Sequence, residues 1–171
     1  MNQSPQSPKS GFAMLEVLIS ILVIAFGLLG LAGLQGFSIR NNHNAYLRSQ
    51  ATLFAYDITD RIRANRTGLN SGFYDSGTVA TGTGACQFSG SPAICSAAQL
   101  AAYDLFVWQQ MLSQLPGGLG VVCLDSDANY AGTPTAPACD GLGNPDTDQY
   151  VAKIWFEENG ALTQFNVTFR P

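Results

Sequence analysis

Three observations predict an α+β fold in which one long N-terminal helix packs on a small antiparallel sheet, with a second, shorter helix and disulfide-stapled loops. First, residues 11–39 form an apolar run interrupted by one carboxylate, Glu16. At about 1.5 Å per helical residue, residues 12–39 reach roughly 42 Å, more than a hydrocarbon core of about 30 Å requires. Second, the helical period continues as an amphipathic pattern to about residue 65. Third, the C-terminal residues alternate apolar and polar side chains on either side of Asn159-Gly160, a pair suited to a type I′ hairpin. The chain divides accordingly into a polar leader (1–11), a transmembrane and assembly half of the helix (12–39), an amphipathic half (40–66) and a globular head (67–171).

The leader, MNQSPQSPKS, contains Pro5 and Pro8 and supports no useful helix. A conventional secretory signal has an apolar core of about 7–15 residues before a small-residue cleavage site, and the run here is too long for that. Glu16 sits just inside it. A carboxylate costs about 2.5–3.5 kcal/mol at the centre of a membrane helix and less towards the interface, so its presence asks for a partner. Gly27, Gly30, Gly33 and Gly36 each cost about 1 kcal/mol of helix propensity relative to alanine. Small residues permit close helix contacts in lipid, and a weakened helix can extend locally where neighbours satisfy its backbone; tolerance of small residues in a membrane helix explains them equally well.

Leu47, Ala51, Phe54, Ala55, Ile58 and Ile62 recur at spacings of three and four, with Arg48, Asp57, Arg61 and Asn65 elsewhere around the wheel. Asp57 and Arg61 stand at i,i+4 in the favourable order, and Gly68 is the expected stop. A helix over residues 13–65 would be roughly 80 Å long, more than a domain of this size can bury, so part of it must pack on other subunits. Residues 67–95 read as a long Gly-, Ser- and Thr-rich loop with short strands at most. Ser96 and Gln99 have capping-box form and open a helix reaching about Leu115, with Leu100, Tyr103, Val107, Met111 and Leu115 along one face. Residues 119–124, 150–156 and 162–169 read as strands. Phe165, Val167 and Phe169 share one face of the last, which gives the sheet one apolar side for the long helix to cover.

Charge and cysteines bound the function. Residues 1–66 hold six basic and three acidic side chains, whereas residues 67–171 hold two basic and nine acidic. An acidic head lacks the basic face that nucleic acid requires. Cys86, Cys95, Cys123 and Cys139 all follow the apolar run, an even count that fits an oxidising compartment and places the head outside the cytoplasm. Of three pairings, Cys86 with Cys95 and Cys123 with Cys139 close the shortest loops at least entropic cost. A zinc site would need closely spaced ligands, and there is no CxxC pair while the lone His43 lies far upstream. Asp125, Asp127 and Asn129 imitate the start of a calcium loop that Asp140, Asp146 or Asp148 would complete. Yet Tyr130 stands where the turn glycine belongs and Ala136 where the bidentate glutamate belongs, so no metal site is assigned. No GxSxG elbow, phosphate-binding loop or HExxH motif is present; no catalytic residue and no cofactor are expected.

Gly11-Phe12, with Glu16 four residues on and an unbroken apolar helix after it, resembles the processing signal of type IV pilins and type II secretion pseudopilins. Ala13 and Met14 depart from the usual Thr or Ser followed by Leu, and no basic residue directly precedes Gly11. GLLGLAGLQ (27–35) and YDITDRIRANRTG (56–68) resemble the PilV branch of minor pilins. The resemblance implies that a prepilin peptidase removes residues 1–11 and methylates the amine of Phe12, and that Glu16 then meets the N-terminal amine of a neighbouring subunit. It further implies a single-pass inner-membrane protein with a periplasmic head that joins a pilus at the cell surface. Its partners would be other minor pilins and the major pilin through the N-terminal helix, with a tip adhesin as a further candidate. The alternatives are a minor pseudopilin of a type II secretion system and a signal-anchored periplasmic adhesin or binding domain.

Overall fold

The computed structural model describes residues 10–80, 86, 95–126, 131–141 and 149–170, with side chains from residue 14 onward. Its elements are helices α1 (Ser10–Ala64), α2 (Arg66–Asn70) and α3 (Ala97–Leu112), followed by strands β1 (Leu119–Leu124), β2 (Tyr150–Glu158) and β3 (Ala161–Phe169). The fold is the type of α+β arrangement that the sequence predicts. Two units make up the chain, Met1–His43 and Asn44–Pro171.

In the second unit the strands form one antiparallel sheet in the order β1-β2-β3. Glu158 pairs with Ala161 across a two-residue turn in which Asn159 (φ 55°) and Gly160 (φ 77°) both take positive φ, the requirement of a type I′ hairpin. The strand therefore runs two residues beyond the expected Phe156. On one side of the sheet Val122, Leu124, Tyr150, Ala152, Ile154, Phe156 and Phe169 are buried against Leu47, Ala51, Ala55, Ile58 and Ile62 of α1 and against α3. Tyr150 and Phe169, paired across β2 and β3, stack with ring centroids 5.8 Å apart.

The expectation of one apolar sheet side is corrected on the other face. There Val121, Cys123, Val151 and Trp155 form a second buried cluster, with Val79 and Cys139 packed on it. Residues 150–156 are all buried, because β2 is central and covered on both sides. Its sequence, YVAKIWF, is near-continuously apolar, as a doubly covered strand should be. Cys86 pairs with Cys95 and Cys123 with Cys139, across 9 and 16 residues.

The helices differ from the expectation in two respects, one end and one face. α1 stops at Ala64, not near Gly68, because Asn65 leaves helical geometry (ψ 65°) and its side chain accepts from Gly68 N, starting the short α2. Gly68 instead lies inside α2, where a Cβ would meet the Asn65 side chain. In α3 the capping box of Ser96 and Gln99 is formed, but the buried face is Ala101, Asp104, Leu105, Trp108 and Leu112. Leu100, Tyr103, Val107 and Met111 are only partly covered. Apolar residues occupy two adjoining stripes of α3, and the inner one holds Trp108, whose Nε1 donates to Phe54 O at 2.9 Å. Among the described residues of 67–95 there is a helix and a turn, with no strand.

Candidate assembly surface

In the first unit the apolar residues of α1 are exposed throughout, from Met14 (72% exposed) to Ile39 (68%). Among the described residues this is the one helix long and apolar enough to cross a membrane. Large apolar side chains left in water along seven turns cost more than a soluble chain can bear, so lipid or other helices must cover them. Glu16 lies within this stretch, exposed; Ser20 Oγ donates to its main-chain carbonyl at 2.7 Å, and its carboxylate has no partner among the described residues. Gly11 and Phe12 belong to the backbone of α1, but their side-chain surroundings and residues 1–9 lie outside the described residues. Around Gly27, Gly30, Gly33 and Gly36 a Cβ would meet nothing within 4 Å, so nothing inside this chain requires glycine there. Those four residues are helical nonetheless.

The DRIRANR segment has two sides: Asp60, Arg63 and Arg66 are exposed, while Arg61 and Asn65 turn inward. Asp57, Arg61 and Asn65 stand at intervals of four and face Tyr74 and α3. Arg61 Nε donates to Asp57 Oδ2 at 2.6 Å, and its Nη1 lies 3.6 Å from Asp104 Oδ1. Tyr74 donates its hydroxyl proton to Asp104 Oδ2 at 2.6 Å, and Asn65 Nδ2 donates to Tyr74 Oη (3.1 Å) and Ala97 O (2.8 Å). Tyr74, Asn65 and Asp104 are buried. Burial raises the Asp104 pKa, opposed by the Tyr74 hydrogen bond and by the Arg61 charge. Burial likewise raises that of Tyr74, and its bond to Asp104 adds to the rise. This clasp ties the end of α1 to the following turn and to α3. The repeat of four was the signal available in the sequence; the partners, 9 and 39 residues beyond Asn65, were not.

The clasp carries a pH prediction. A carboxyl whose pKa is raised by folding binds its proton more readily in the native state. Its stabilising contribution is complete below the unfolded value and is lost as pH rises through the folded value. Asp104→Asn keeps an acceptor for Tyr74 without the charge. The wild type should therefore exceed this variant in thermal midpoint by the most in acid, with the difference shrinking towards neutrality; a difference that widens with rising pH would contradict the buried geometry.

The functional comparison bears on this same region. A family model described as Tt1218-like, type IV pilin Tt1218, matches residues 33–106, which run from the apolar half of α1 through the clasp into α3. Over those residues, fewer than half of its length, the chain is similar to a type IV pilin. No curated protein and no solved structure matches it. Type IV pilins are in general structural, non-enzymatic subunits that assemble with other pilins, and a single apolar N-terminal helix fits a membrane-anchored member of that family. In this pilin-like chain the matched stretch contains Asp57, Arg61, Asn65, Tyr74 and Asp104 together with Cys86 and Cys95. No group of three potential metal ligands occurs among the described residues. Of the residues weighed for a calcium loop, Asp127, Asn129, Asp146 and Asp148 lie outside the described residues, as does Tyr130. Asp140 accepts from Ser126 N and Oγ.

Proposed function

We propose that this chain is a minor pilin of the PilV type, a non-enzymatic subunit that helps start type IV pilus assembly and is incorporated at or near the tip. What carries the reading is the family match to residues 33–106, which begins inside the apolar part of α1, exposed from Met14 to Ile39. The GLLGLAGLQ and YDITDRIRANR segments favour the pilus branch over a type II secretion pseudopilin. On this reading a prepilin peptidase cleaves after Gly11 and methylates Phe12. The inner membrane holds α1 until neighbouring pilin helices replace the lipid, and the head lies in the periplasm. Replacement of lipid by helices of similar apolarity leaves van der Waals packing and polar contacts to select the partner.

Intact-mass measurement of the protein from membranes containing the peptidase tests this. A chain beginning at methylated Phe12 is expected; an uncleaved chain would favour a signal-anchored adhesin or binding domain, for which the arm is only a tether. A second prediction concerns the four glycines. Replacing Gly27, Gly30, Gly33 and Gly36 by alanine introduces no clash within the chain and gains about 1 kcal/mol of helix propensity at each. Circular dichroism in micelles should show equal or higher helicity, while pilus content of the variant falls; unchanged content would mean that the glycines serve no close contact.

A further inference from the structure

β2 carries one charged residue among its buried side chains. Lys153 is 0% exposed, yet its neighbours on that face, Val121, Val151 and Trp155, are apolar. Its ammonium is surrounded by oxygen. Asp125 Oδ2, on a carboxylate equally shut off from solvent, lies 2.6 Å from Nζ. Lys153 donates to Pro137 O at 2.7 Å, with Ala131 O and Ala138 O each at 3.4 Å. One carboxylate and several main-chain carbonyls converging on one point are the donor set of a hard-cation site, such as a calcium loop. Here the point is filled by a side chain.

We infer that the Lys153 ammonium is the built-in cation for Asp125 and the carbonyls of residues 131–138, standing where a bound metal ion would, so that residues 131–141 close over the sheet without any divalent cation. Of the calcium-like pattern Asp125, Asp127 and Asn129, Asp125 takes its cation from β2. The remaining fastenings agree with this. Cys123 of β1 is bonded to Cys139, and Trp155 Nε1 donates to Gly132 O at 3.3 Å. Thr133 and Ala136 exchange main-chain hydrogen bonds at 2.9 and 3.1 Å, closing the turn between them. The disulfide limits how far the loop travels, but it does not neutralise Asp125. A carboxylate this deeply buried is costly without a positive partner. With Lys153 in place, Asp125 is spent, and a calcium ion would have to displace an ammonium tethered at high effective concentration.

The test uses the full chain in detergent micelles and reads two quantities, labelling of Lys153 by an amine-reactive acetylating reagent and hydrogen exchange of peptides covering residues 131–141. In the wild type, Lys153 should label at least about 100-fold more slowly than in the urea-unfolded chain. Exchange over residues 131–141 should be the same with excess EDTA as with calcium chloride. Lys153→Met, which keeps most of the stem and removes the charge, should speed that exchange at least about tenfold. Calcium that slows exchange in the wild type, or EDTA that speeds it, would make a metal the loop's cation and overturn the proposal. Labelling as fast as in urea, or unchanged exchange in Lys153→Met, would do the same. Should the methionine variant fail to fold, the wild-type labelling and EDTA measurements still decide.

Discussion

Glu16→Ala is expected to yield a chain that enters the membrane and is processed like the wild type but is missing from sheared pili. The side chain lies in the exposed apolar part of α1 and has no partner among the described residues, so removing it costs the isolated subunit nothing inside the chain. Insertion should improve slightly, since a carboxylate in an apolar segment opposes it. In an assembled bundle the balance reverses. If Glu16 neutralises a neighbour's N-terminal amine, deleting it leaves that amine unpaired in a low-dielectric core, and breaking such a pair costs about 3–5 kcal/mol. Each 1.36 kcal/mol is a factor of ten, so incorporation should fall by about 100-fold or more. Glu16→Gln separates charge from shape: it should fail as alanine does. Quantitative blotting of pili against membranes provides the measurement, and normal incorporation of either variant would refute the pairing role.

Much of the architecture follows from patterns of short range. The 3.6 and 2.0 periods, the capping box at Ser96 and the Asn159-Gly160 turn are each decided by residues close in sequence, and all of them are found. What could not be read depends on what lies across the fold. A lone lysine inside YVAKIWF signals a covered face, but that its partners would be Asp125 and the carbonyls of residues 131–138 follows only from the loop's path. The buried face of α3 was assigned one position away from the true one because both adjoining stripes are apolar, and only the packing of Trp108 on α1 chooses between them. The sequence places Asp57, Arg61 and Asn65 only off the apolar stripe of α1, for a related reason. The Asp57 and Arg61 charges balance locally, and nothing within a few residues reveals that Tyr74 and Asp104 bond to Asn65 and Arg61.

Trp108→Ala is expected to be among the most damaging single changes in the head. The ring is 1% exposed and lies in the cluster shared by α1, α3 and the sheet. Its removal should cost about 3–5 kcal/mol, combining lost transfer energy with an unfilled cavity, and at about 4–8 °C per kcal/mol for a domain near this size the thermal midpoint should drop by more than about 12 °C. The lost bond to Phe54 O adds little, because that carbonyl retains its place within α1. Gly120 supplies the control. A Cβ there would press on Leu112 Cδ1 and on Trp108 Cη2 at 2.5 Å, so Gly120→Ala alone should destabilise by about 1–3 kcal/mol through overpacking. In the Trp108→Ala background the ring edge is gone and the added methyl meets partly open space, so the double variant should be more stable than the two single losses predict, by about 0.5–3 kcal/mol. Thermal unfolding of the full chain followed by near-ultraviolet circular dichroism measures all four proteins. Strict additivity would show that the ring does not occupy the space above Gly120, and with it the reason that only glycine fits at that point of β1.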